Sequence, residues 1–133
     1  MMETYPWWNE KQRRLVEEAK KFADENIPRG EEIMWTREFP FDLLKEVAER
    51  GWFGAPIPEE YGGMGVGVVG GCIIAEELSR VCAALTGGYS VTMFGGMEQL
   101  LKFGNGEQKR KWLPQIVRGK LGAICITEPG VGS

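Results

Sequence analysis

The stretch "FGNGEQKRKWLPQIVRGKLGAICITEPGVGS", Phe103–Ser133, decides the fold, because two kinds of structure meet inside it. From about Gly106 to Arg118 it reads as a helix that Pro114 kinks or breaks. "LGAICIT" follows, short and β-branched, and reads as the first strand of something. Glu128-Pro129 then turns the chain, and Gly130 and Gly132 bring backbone amides into the open. A lone strand cannot stabilise itself. The expectation is a strand whose partners lie outside these residues.

Upstream, everything reads as helix. Asn9 is an N-cap with Gln12 three residues on, and Leu15, Ala19, Phe22 and Ala23 form an apolar stripe. Pro28 is expected to stop this helix. A connector, Arg29 to Phe39, leads to Pro40 and a second helix, Phe41 to Arg50, which buries Leu44, Val47 and Ala48 and ends at Gly51. "GWFGAPIPEEYGGMG", Gly51–Gly65, is loop. A third helix runs from about Val69 to Leu85, with Ile74, Leu78, Val81 and Leu85 on one face and Glu76 and Arg80 paired. Gly87-Gly88 ends it, and a fourth helix, about Tyr89 to Phe103, carries Phe94, Met97 and Leu101 to Gly104. The fold class is mainly α: a bundle of five or six helices feeding one strand.

Composition narrows the function classes. With 133 residues, 43% of them apolar and 26% charged, the chain can bury one core. The net charge of −3 argues against nucleic acid, and Lys109-Arg110-Lys111 reads as a solvated helix face. The longest uncharged run, Val81 to Met97, holds four glycines and is too polar for a membrane span. No signal peptide is evident around Trp7-Trp8. Cys72, Cys82 and Cys125 are odd in number and read as reduced core residues of a cytosolic protein. The absence of histidine removes the commonest metal ligand and general base, so no metal site is expected.

Glycine is the outlier: 19 of 133 is roughly twice the usual frequency. Three of its clusters are candidate sites. Gly65-Val66-Gly67-Val68-Val69-Gly70 fits the dinucleotide fingerprint G-x-G-x-x-G. That motif needs a preceding strand and an acid about 20 residues on. Here "PEEYGG" precedes it and no acid lies between Glu77 and Glu98, so the glycines read as shaping a loop. Gly95-Gly96 inside the fourth helix costs on the order of 1 kcal/mol per glycine. Close helix packing is the simpler reading; space for a ligand walled by Val91, Thr92, Phe94 and Met97 is the sharper one. The third site is the closing stretch, where Thr127, Gly130, Gly132 and Ser133 could cradle an anion or a polar heterocycle. On the residues alone, an ordinary strand-to-loop turn is the favoured reading.

Six segments, in order, resemble the N-terminal part of an acyl-CoA dehydrogenase: "FADENIPRG", "EFPFDLLKEVAERGWFG", "PEEYGGMG", "IIAEELSR", "FGNGEQKRKWLPQIVRGK" and "AICITEPGVGS". The resemblance covers about Gln12 to Ser133. It implies an N-terminal helical domain over residues 1–120, and over 121–133 the start of a middle β-domain that is otherwise absent. Ile124, Ile126 and Thr127 align with positions touching the isoalloxazine of FAD, and Gly132 and Ser133 with positions near its pyrophosphate. Ser133 also aligns near the acyl-CoA, and the Val91, Thr92, Phe94 and Gly95 region with a wall of the acyl pocket.

The implied reaction is α,β-dehydrogenation of an acyl-CoA thioester by α-proton removal and hydride transfer to flavin N5, with an electron-transfer flavoprotein or similar acceptor. A homotetramer or homodimer is implied at full length, cytoplasmic in a bacterium or archaeon, or mitochondrial after loss of a transit peptide. The family's catalytic carboxylate lies in a C-terminal bundle, so no catalytic residue is assigned here, and Glu128 is a turn residue. A truncated piece of a longer enzyme is therefore expected, inactive alone. The alternatives are a non-catalytic helical interaction domain, or an acyl-CoA oxidase or other flavoenzyme on the same scaffold.

Overall fold

The computed structural model describes residues 5–132. Its helices are α1 (Glu10–Thr36), α2 (Phe41–Glu49), α3 (Gly67–Val81), α4 (Ala83–Ser90), a π-helix (Val91–Met97), α5 (Glu98–Phe103) and α6 (Gly106–Val117). The α4, π and α5 segments run on without a break, so the described residues form five rods. The helical bundle expected from the sequence is present.

The Asn9 side chain accepts from the Gln12 N–H while Gln12 answers on the Asn9 N–H, a complete capping box that starts α1. Asn105 and Gln108 repeat the device at the start of α6. Leu15, Ala19, Phe22 and Ala23 are buried as expected, together with Val16, Gly30 and Ile33. They pack on Ile73, Ile74, Leu78 and Val81 of α3. Trp52 stands edge-on to Phe22 with ring centroids 5.4 Å apart. The Tyr89 hydroxyl, pushed up in pKa by burial and then by nearby Cys72, donates to the Trp52 carbonyl at 3.2 Å.

Several local expectations are corrected. Pro28 does not stop α1, which continues to Thr36. Pro28 is exposed, and in the turn before it the Asn26 side chain gives the Phe22 carbonyl a donor at 2.9 Å. The helix is held by what lies beyond the proline: Gly30 and Ile33 are buried, and Arg29 binds Glu32, Glu38 and Asp42, tying α1 to α2. Pro114 likewise lies inside α6 without ending it. Ala48 is only partly buried; Leu43 takes its place in the core of α2. The loop between α2 and α3 contains two short 3-10 turns, Trp52–Gly54 and Glu59–Tyr61.

The third helix breaks at Cys82 rather than at Gly87-Gly88. Cys82 is extended (φ −165°, ψ 155°), and Thr86 ties the new helix back by donating to the Ala75 carbonyl at 3.0 Å. Gly87 and Gly88 continue α4, and a Cβ on Gly88 would stand 3.1 Å from Leu44, so this glycine admits α2. Arg80 pairs with Glu77 and Asp24 instead of Glu76, linking α3 to α1. Among the cysteines only Cys82 is buried; Cys72 lies on the outer face of α3 and Cys125 in the exposed tail, and none is bonded to another.

Candidate functional site

The glycine-rich segment before α3 is not a dinucleotide site. It follows a 3-10 turn rather than a strand, and Gly65 and Gly67 adopt φ of +64° and +70° to steer the chain into α3. Gly70 is packed against Val66 and Leu15.

The sequence features that do converge are the π-helix and the tail after α6. Gly119, at φ +94°, ends α6 where a Cβ would stand 2.6 Å from Ala48, so α6 abuts α2 and the tail leaves in a fixed direction. Residues 120–127 lack regular secondary structure. The expected strand is not formed among the described residues, for the physical reason that strand geometry is stabilised by ladder partners. The Glu128-Pro129 turn is formed: Glu128 and Val131 exchange backbone hydrogen bonds at 3.2 and 3.1 Å.

Two contacts seat the tail on the π-helix. The Thr92 hydroxyl donates to the Gly88 carbonyl at 3.0 Å and accepts the Gly122 N–H at 3.0 Å, using its donor and an acceptor site at once. Three residues along, a Cβ on Gly95 would lie 2.2 Å from the Ile124 side chain, so Ile124 occupies the notch that Gly95 leaves. Gly95 thus serves packing, but against the tail rather than against a neighbouring helix as the simpler reading of the sequence expected. Gly96 faces open space.

The candidate residues distribute around this seam. Thr92 is fully buried, Phe94 and Gly95 are half-buried, and Val91 is exposed. Ile124 is 45% exposed and Ile126 68%; Thr127 and Gly132 are exposed as well. The acyl-wall and flavin-contact candidates therefore meet at 92–95 and 122–124, with Ile126 and Thr127 projecting beyond. Ser133 lies outside the described residues. Across 91–97 and 121–132 the ionisable side chains are the exposed Cys125 thiol and Glu128 in the turn, and no cluster suited to a metal occurs among the described residues. No described helix is long and apolar enough to cross a membrane.

Sequence reasoning missed Gly122, the double use of the Thr92 hydroxyl, and the π-helix itself. The only signal for the last was the weak helix propensity of Gly95-Gly96; π-turns are frequent at functional sites and have no simple sequence signature.

Comparison with known proteins bears on this arrangement. A family model described as acyl-CoA dehydrogenase, N-terminal domain, matches residues 9–120. An acyl-CoA dehydrogenase of Bacillus subtilis is 43% identical over 117 residues, covering 86% of this chain and 31% of that protein. A crystal structure of an acyl-CoA dehydrogenase complexed with FAD from Bacillus anthracis is similar with a TM-score of 0.82 and 34% identity, covering 98% of this chain and 23% of that one. Butyryl-CoA dehydrogenase from Megasphaera elsdenii is similar with a TM-score of 0.86 and 29% identity, covering 98% of this chain and 35% of that one. The chain spans about a third of the length of the curated relatives it matches.

Proposed function

The chain belongs to the acyl-CoA dehydrogenase family, and from that premise we propose that it supplies one side of the flavin and acyl-CoA site of an FAD-dependent acyl-CoA dehydrogenase. Residues 1–120 act as the N-terminal helical domain, and 121–133 open the middle β-domain. One observation carries the proposal: the tail lies docked along the π-helix through Gly122 and Ile124, with Ile126 and Thr127 left facing outward. A surface of that kind suits a flat heterocycle, with apolar Ile126 for the ring and the Thr127 hydroxyl for its polar edge.

The residues present fit FAD. A Cβ at Gly130 or Gly132 would meet nothing within 4 Å, so the backbone there is open to the approach of a phosphate-bearing ligand. Ile124, Ile126 and Thr127 would hold the isoalloxazine, and Gly132 and Ser133 the pyrophosphate. Val91 and Phe94 would wall the acyl group beside the Gly95 notch that Ile124 fills, with Thr92 fixing that wall from behind. When bound, FAD supplies the hydride acceptor for α,β-dehydrogenation of the thioester. No residue of this chain is assigned the α-proton; Glu128 serves as a turn residue, its backbone closing the turn with Val131. The same proposal carries an acyl-CoA substrate, an electron-transfer flavoprotein or similar acceptor, and a homotetramer or homodimer.

The test is the flavin content of the product of the complete reading frame. Purified without added flavin, it is expected to be yellow and to release FAD on denaturation. A folded, colourless product would point to the non-catalytic interaction domain instead. Rapid reduction of dioxygen with an acyl-CoA would point to an oxidase.

A further inference from the structure

The Thr92 hydroxyl has two partners that belong to different parts of the chain, one within its own helix and one in the tail. Thr92 and Met93 are fully buried and Met97 nearly so, continuing along the π-helix the core face that Tyr89 presents from α4. The wide π-turn brings Thr92 inward as well, toward the point where the tail crosses. A Cβ on Gly122 would stand 3.5 Å from the Thr92 Cα, so the two backbones nearly touch there. Gly95 then provides the notch for Ile124. A hydrogen bond fixes the tail along its length, and a side chain in a notch fixes its rotation about that bond.

We infer that Thr92 and Gly95 form a two-point dock that sets the position and facing of residues 122–127, and that Thr92 is thereby a positioning residue for the flavin-contact stretch. The part concerning flavin rests on the functional reading above; the dock itself does not. With Ile124 seated toward Gly95, the chain runs on through Cys125, Ile126 and Thr127, all exposed, on the open side of the dock. An acyl or flavin group there would meet a backbone already fixed in place, which lowers the ordering cost of binding. The dock also explains why the hydroxyl at position 92 is buried and satisfied rather than presented to a ligand.

The experiment compares Thr92→Val, Thr92→Ser and Ile124→Ala with the unaltered protein, in the complete reading-frame product and by two readouts. The first is amide hydrogen exchange at Gly122. Thr92→Val is expected to raise it about tenfold, the loss of one ordinary hydrogen bond, while Thr92→Ser restores it. Core amides such as those of Leu78 and Leu85 should hold their rates, which separates undocking from general destabilisation. The second readout is the flavin visible band, expected to shift in Thr92→Val and Ile124→Ala and to return in Thr92→Ser. Ile124→Ala changes an exposed tail residue and keeps the test informative if Thr92→Val folds poorly.

Unchanged Gly122 exchange in Thr92→Val would overturn the dock. Faster exchange with an unshifted flavin band in both variants would overturn the positioning role. A flavin-free unaltered product would sink the flavin part together with the functional reading, while the exchange rates would still decide the dock.

Discussion

At the scale of single residues, the glycines sort by what stands where a side chain would be. Gly30 faces the Val81 backbone, and a Cβ there would lie 2.1 Å from the Val81 carbonyl oxygen. Backbone cannot yield as a side-chain tip can, so Gly30→Ala is expected to destabilise by roughly 3 kcal/mol, read as a lowered urea midpoint. Gly87 sits inside α4 with nothing within 4 Å of an added Cβ. Gly87→Ala should therefore stabilise by about 0.5 to 1 kcal/mol in the same assay. Both glycines stand inside helices, and nothing local in the sequence tells them apart. The sequence marked Gly95-Gly96 as a place of close helix packing; Gly95 is closely approached, but by the tail and not by a helix. What approaches it, Ile124, was not legible, because the contact is set by where α6 ends against α2.

At the scale of elements, capping, apolar spacing and the ends near Gly51, Gly104 and Arg118 were readable, whereas the ends at Pro28 and at Gly87-Gly88 were misplaced. The box at Asn9 was visible as an amide three residues before another, and the structure forms it. Asn9→Ala or Asn105→Ala should each cost about 1 kcal/mol, measured as a loss of thermal stability. The end expected at Pro28 failed because tertiary contacts beyond it outweigh the local penalty: Gly30 and Ile33 are buried and Arg29 gathers three carboxylates. The break at Cys82 was hidden for the same reason, since Leu85 beyond it is buried on the same core as Leu78. Arg29 also sets a pH dependence. Burial pushes the Asp42 carboxyl up, but its hydrogen bonds to Arg29 and the Leu43 amide and its attraction to Arg29 outweigh this and hold it below its ordinary value. Its contribution is therefore present above pH about 4 and lost as pH falls through the lowered value. Asp42→Asn should lower Tm at pH 7 and flatten the decline below pH about 4; an unchanged acid decline would contradict the α1–α2 link.

At the scale of the whole molecule, the described residues form five rods with a tail docked on one of them. The bundle was legible because its apolar stripes recur at helical spacing. The strand was not formed, because pairing is not a property of "LGAICIT" alone. The tail instead lies on the π-helix, with Ile126 and Val131 more than half exposed. Membership in the acyl-CoA dehydrogenase family and this exposed tail together lead to the proposal that flavin and acyl-CoA meet here. Anaerobic titration of the yellow reading-frame product with acyl-CoA thioesters tests it most directly. Bleaching of the flavin band in proportion to added acyl-CoA, with the enoyl thioester as product, is the expected result. A flavin band that stays unbleached across short, branched and long acyl-CoAs would contradict it.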